Sequence, residues 1–205
     1  MHISFIISIF FTLFIAVDPF GLIPIFIIFI TKYDAAERRR IIFKAIITSI
    51  VVSVFFIFLG RFILLYLGIS QEAFLISGGI LLFLISMDLI LARPSRTKIM
   101  HDNIEDVEKE DVSVSPLAIP MISGPGTIAA LMMFSSQVKD EPYMLIIITL
   151  IAFFVLLITM IVMFLSSHIE KVLGRTGISV IQRIMGLILS ALAVQFIVNG
   201  IKQIF

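Results

Sequence analysis

Six apolar runs, each long enough to cross a bilayer, constrain this chain more than any other feature. They are 3–31, 41–59 with an extension to Leu67, 72–92, 114–136, 143–166 and 179–204. A hydrocarbon core of about 30 Å, at 1.5 Å of rise per residue, needs about 20 largely apolar residues per helix. The runs show no period-2 alternation, so they read as helices rather than as strands of a barrel. Of the 205 residues 60% are hydrophobic and 14% charged, far from the balance of a soluble domain. That excludes intrinsic disorder, a nucleic-acid-binding surface and an ordinary cytosolic enzyme. There is no cysteine, and His2, His101 and His168 are far apart, so no metal site or cofactor is expected. The expected fold is an all-α integral membrane protein of six transmembrane helices, with the lipid bilayer as its first partner.

The run at 3–31 has no basic stretch before it and stays apolar through Ile30, which suits a retained transmembrane helix better than a signal peptide. One segment breaks the apolar pattern. Residues 93–113 carry ten charges in 21 positions and read as a solvated connector between the halves 1–92 and 114–205. Lysine and arginine then set the orientation. Twelve of the 15 fall after the first, third and fifth spans, and only Arg61, Lys139 and Lys202 fall on the other side. The bias places the connector in the cytoplasm and both termini outside.

The halves repeat in register. Asp18-Pro19 and Gly124-Pro125 lie 106 residues apart, each about midway along the first span of its half. Gly79 to Asp88 aligns with Gly186 to Gln195 at an offset of 107. Three spans per repeat is an odd number, so the second copy enters the membrane from the opposite side. Two inverted three-helix repeats with matched Gly/Pro interruptions are a construction of secondary transporters.

The interruptions carry the chemistry. In the first span, Asp18, Pro19, Phe20, Gly21 and Pro24 fall near the midplane, and two interior prolines are expected to break the helix. Asp18 before Pro19 forms an N-cap and N1 pair for a new half-helix. In the fourth span the pattern is Pro120, Ser123, Gly124, Pro125, Gly126 and Thr127, with Ser123 or Gly124 capping a half-helix that starts at Pro125. Each half-helix start offers unpaired N–H groups and a partial positive charge at membrane depth. Inverted repeats would face the two starts toward each other. The product is a small polar site whose N–H donors suit a carboxylate and whose Asp18 and freed carbonyls suit an ammonium. Asp18 serves as a cap, as a ligand or proton site, or as both.

Other polar residues have plainer readings. Asp88 lies near the cytoplasmic end of its span, Arg61 marks the outer end of the second span, and Gln195 and Asn199 suit hydrogen bonding between helices. An aspartyl protease built from Asp18 and Asp88 is disfavoured by a depth difference of roughly 10 Å, so no catalytic residue is expected.

Three blocks are more specific: Asp18-Pro-Phe-Gly-Leu-Ile-Pro-Ile-Phe26, Ser77-Gly-Gly-Ile-Leu-Leu-Phe83, and Pro116-Leu-Ala-Ile-Pro-Met-Ile-Ser-Gly-Pro-Gly-Thr127. Together with the six spans and the charged connector, they resemble the signature of the MarC family across essentially the whole chain. That resemblance implies a bacterial or archaeal inner-membrane protein. Through members called SnatA, it implies proton-coupled transport of small neutral amino acids such as glycine and alanine, with 18–24 and 120–127 as the substrate site. Ser123 stands where alanine is common in the family and adds a hydroxyl. Export or channelling of other small metabolites or drugs is the alternative. A chain of this size suits a monomer or a dimer alike.

Overall fold

Hydrocarbon offers backbone N–H and C=O groups no partner, so a long apolar segment satisfies them internally as a helix. The computed structural model describes residues 2–30, 33–91, 113–138 and 142–204, and its described residues form eight helices. These are α1 (His2–Val17), α2 (Pro19–Ile30), α3 (Ala35–Tyr66), α4 (Gln71–Ile90), α5 (Ser113–Ile122), α6 (Pro125–Gln137), α7 (Pro142–Phe164) and α8 (Ser166–Ile204). All are α-helices except α5, which is wound as a π-helix. Among the described residues five stretches are long and apolar enough to cross a bilayer: Ile3–Pro24, Ala35–Tyr66, Gln71–Ile90, Tyr143–Phe164 and Thr176–Ile204. The chain is therefore an all-helical, multi-pass integral membrane protein.

The apolar run at 114–136 is not one continuous helix. It is divided into α5 and α6, of 10 and 13 residues, each short of the about 20 that a crossing needs. Apart from Ser113, the charged connector at 93–113 lies outside the described residues.

Two helices are longer than the apolar pattern indicates. α3 starts at Ala35, six residues before its apolar run, because Asp34 and Glu37 form a reciprocal capping box. Arg38, Arg39 and Arg40 thus sit on the first turns of a helix and not in a loop. At its other end α3 continues to Tyr66, so Arg61 lies inside the helix and does not mark its end. α8 begins at Ser166 and is divided at Gly174, whose φ of 62° and ψ of 176° only glycine adopts readily. Lys171, expected between spans, is on the short helical piece before that division.

Glycine contacts fix the helix directions. A Cβ at Gly79 of α4 would lie 2.9 Å from the Ala193 carbonyl oxygen of α8, and one at Gly186 would lie 2.9 Å from the Ser86 carbonyl oxygen. Gly200 approaches Glu72 in the same way, so α4 and α8 run antiparallel along their length. α4 is also antiparallel to α6, since Gly78 faces Met133 while Gly126 faces Leu82 and Ile85. α6 and α8 are therefore parallel. The α1–α2 arm runs against both: Phe5 and Phe196 both pack on Phe134, whereas Asp18 meets Gln182.

The packing partners also exchange with the halves. α2 packs on α8 as α6 packs on α4, and α1 and α2 pack on α7 as α5 and α6 pack on α3. The long helices α3, α4, α7 and α8 turn many large apolar side chains outward, among them Phe62, Leu84, Leu150 and Leu187. The interrupted helices are interior. In α1 with the start of α2, 56% of the apolar window is buried, against 33% in each of the other four crossing stretches. Ten residues of α6 are buried. Freed backbone groups are thus kept away from lipid, where each unsatisfied one costs several kcal/mol.

Candidate functional site

Val17 ends α1 and Pro19 starts α2, leaving Asp18 as the single joint between them. Its φ of 50° lies in the left-handed region and is the only positive φ among the described non-glycine residues. Aspartate tolerates this region better than most side chains, at a cost of order 1 kcal/mol. The backbone hydrogen-bond chain nevertheless runs through the joint. The Asp18 N–H donates to the Phe14 carbonyl (3.1 Å), and the Leu22 N–H donates to the Asp18 carbonyl (3.2 Å). The rings of Phe14 and Phe20 meet edge to face at 6.3 Å across the bend.

The Asp18 side chain is 8% exposed. The Gly21 N–H donates to its Oδ1 at 3.0 Å, which is the expected cap of α2, with Pro19 at the first helical position. The Gln182 Nε2 on α8 donates to its Oδ2 at 2.9 Å. A Cβ at Gly21 would run into the Asp18 carboxylate and the Gln182 amide, so a larger residue there would have to displace that pair. Pro19 is buried and Phe20 half-buried. Pro24 does not break the chain as expected. It sits inside α2, half-buried, and the missing N–H leaves the Phe20 carbonyl without its usual partner.

The second interruption is built differently. Pro116 and Pro120 are four residues apart, so Pro120 cannot make the α-helical bond to the Pro116 carbonyl. This segment winds as the wider α5, and its i to i−5 pattern continues in the Ser123 N–H, which donates to the Ala118 carbonyl at 2.9 Å. Gly124 is the N-cap of α6, with φ −74° and ψ 174°, and Pro125 follows at the first helical position. No side chain caps this end. The Thr127 Oγ1 donates to the Ile122 carbonyl at 3.0 Å, and the Ser123 Oγ donates to the Ser49 carbonyl of α3 at 3.4 Å. Ser123 and Thr127 are 2% and 3% exposed, while Pro125 is exposed. Gly126 lies against Ile85 and Leu82 of α4.

The two interruptions are held by different neighbours, the first by α8 through Gln182 and the second by α3 and α4. What joins them is the packing of their arms, α1 on α6 and α2 on α5. Chemically, one interruption supplies a buried carboxylate with an amide partner, and the other supplies an uncapped helix start. Gln182 is the residue that sequence reasoning missed. A glutamine near the start of the run at 179–204, beside Arg183, carried no local signal, and its partner is 164 positions away.

The signature of MarC family integral membrane proteins matches residues 3–205. The UPF0056 membrane protein YvbG of Bacillus subtilis is 38% identical over 208 residues, covering 100% of this chain and 98% of its own length. The UPF0056 membrane protein MJ1677 of Methanocaldococcus jannaschii is 36% identical over 205 residues, with 98% of each chain covered. MJ0972 from the same archaeon is 40% identical over 206 residues, covering 99% of this chain and 89% of its own. No solved structure matches the chain.

Proposed function

The chain belongs to the MarC family of integral membrane proteins, and from that premise we propose that it is a secondary transporter of small neutral amino acids such as glycine and alanine. It acts as a proton-coupled carrier, not an enzyme, in the cytoplasmic membrane, with both termini outside. The substrate sits between the interruptions at 18–24 and 120–127. Asp18 takes the ammonium or the coupling proton.

One observation carries this reading: a buried carboxylate at the joint of an interior, interrupted helix. An acid at that depth costs about 2.5–3.5 kcal/mol on insertion scales. Capping Gly21 uses Oδ1, while Oδ2 is directed to a side chain on another helix. The antiparallel run of α4 and α8, and the exchange of packing partners between halves, support six crossings arranged as two inverted repeats around this site. In that arrangement α5 and α6 together make the fourth crossing.

The test is transport by the purified protein in liposomes. Labelled glycine or alanine should accumulate under an imposed proton gradient and exchange in counterflow, which separates a carrier from a channel. Asp18→Asn, which keeps an oxygen for the Gly21 cap, should abolish accumulation. Absence of both uptake and counterflow for every small neutral amino acid tried refutes the proposal, and full activity of Asp18→Asn confines Asp18 to capping.

A further inference from the structure

Among the described residues two buried side-chain groups have no hydrogen-bond partner, Thr12 Oγ1 on α1 and Ser49 Oγ on α3, and both residues are 0% exposed. Other helix hydroxyls do not share this state. Ser77, Ser86, Ser135, Ser136, Thr149, Thr159 and Ser190 each donate to the carbonyl three or four residues earlier, the usual solution in an apolar surrounding.

Register along the helices brings the two residues to the same level of the molecule. Phe5 of α1 packs on Phe134 of α6, with ring centroids 5.7 Å apart. Thr12 is seven residues further along, two turns and almost the same face. Because α1 and α6 are antiparallel, seven residues back from Phe134 is Thr127, in the first turn of α6. Ser49 approaches from α3, where its carbonyl accepts from Ser123 Oγ. Gly60, three turns on and on the same face, lies against Met132, so this face of α3 follows α6 down to its start.

The α6 N-terminus therefore carries three features together. Its first N–H groups, on Gly126 and Thr127, have no capping side chain. The helix-end charge is positive there. Two residues with unpartnered hydroxyls, on separate helices, reach its level. We infer that Thr12 and Ser49 are ligand-contacting residues and that, with the start of α6, they form a subsite for a carboxylate. A carboxylate has lone pairs enough to accept from both hydroxyls and from the helix N–H groups. This inference rests on the transporter reading and assigns the substrate's acidic end to the second interruption, opposite the Asp18 joint.

The test is calorimetric titration of the purified protein in lipid nanodiscs with two probes, glycine and acetate, alongside thermal unfolding. Thr12→Val and Ser49→Ala should each weaken glycine binding at least about tenfold, the loss expected for a hydrogen bond to a charged group, and Thr12→Ser should restore it. Acetate binding should fall in parallel. If Thr12→Val and Ser49→Ala bind glycine as the wild type does while melting higher, the hydroxyls are merely buried orphans and the subsite is refuted. If the wild type binds acetate but not glycine, and the variants lose acetate, the subsite stands and the amino-acid reading fails. Binding of neither probe by the wild type overturns the subsite.

Discussion

Placing a single methyl group at Gly79 or Gly186 tests the relation between the two halves. At Gly79 the new Cβ would lie 2.8 Å from Ile197 Cγ1, 2.9 Å from the Ala193 carbonyl oxygen and 3.2 Å from the Ile197 nitrogen. At Gly186 the corresponding atoms are Leu89 Cβ at 2.8 Å, the Ser86 carbonyl oxygen at 2.9 Å and Ile90 Cγ1 at 3.0 Å. A long side chain can swing away from such a contact, but a carbonyl in the middle of a helix cannot. Restoring ordinary van der Waals distance requires α4 and α8 to separate by about 0.5 Å, and a gap of that size forfeits roughly a quarter of each dispersion well it opens. Overpacking of this kind typically costs about 1–3 kcal/mol. Gly79→Ala and Gly186→Ala should therefore each destabilise by that amount. Because one separation of the helices relieves both clashes, the double variant should lose clearly less than the two losses together. Reversible unfolding in bicelles or mixed micelles measures all three. Single variants within about 0.3 kcal/mol of the wild type, or strict additivity, would refute the contact argument and with it the matched roles of the two glycines.

Two further predictions concern the joints. Gln182→Leu removes a donor from a buried carboxylate and should destabilise by about 1.5–3 kcal/mol. In a double-mutant cycle with Asp18→Asn the coupling should exceed about 0.5 kcal/mol, and simple additivity would deny the contact its role. Asp34→Ala opens the capping box of α3 at an exposed position and should cost about 1 kcal/mol in thermal unfolding, while leaving the proposed transport unchanged in liposome uptake.

What could be read in the sequence is what depends on neighbours along the chain. Proline and glycine located both interruptions, and Asp18 followed by Pro19 foretold the cap that Gly21 completes. The capping box at Asp34 and Glu37 is equally legible, as Asp-x-x-Glu, although three arginines separate it from the apolar run that starts at Ile41. Other features had no local signal. The tolerance of α2 for Pro24 and the π winding of α5 depend on how freed carbonyls are accommodated by packing. Gln182, Thr12 and Ser49 look like ordinary polar interruptions of apolar helices. Their significance arises only from which helices are antiparallel, and at which level two faces meet.

The shortness of α6 also bears on the order in which the molecule is assembled. At 13 residues it is too brief to hold itself across a bilayer, and nearly all of its surface is covered by other helices. Most of that cover comes from α1, α3 and α4. All three precede it in the chain, so synthesis delivers the walls of the socket before the peg. A ribosome emitting the halves in reverse order would release this helix into lipid with nothing to receive it, and a circular permutant starting at 114 should insert poorly for that reason.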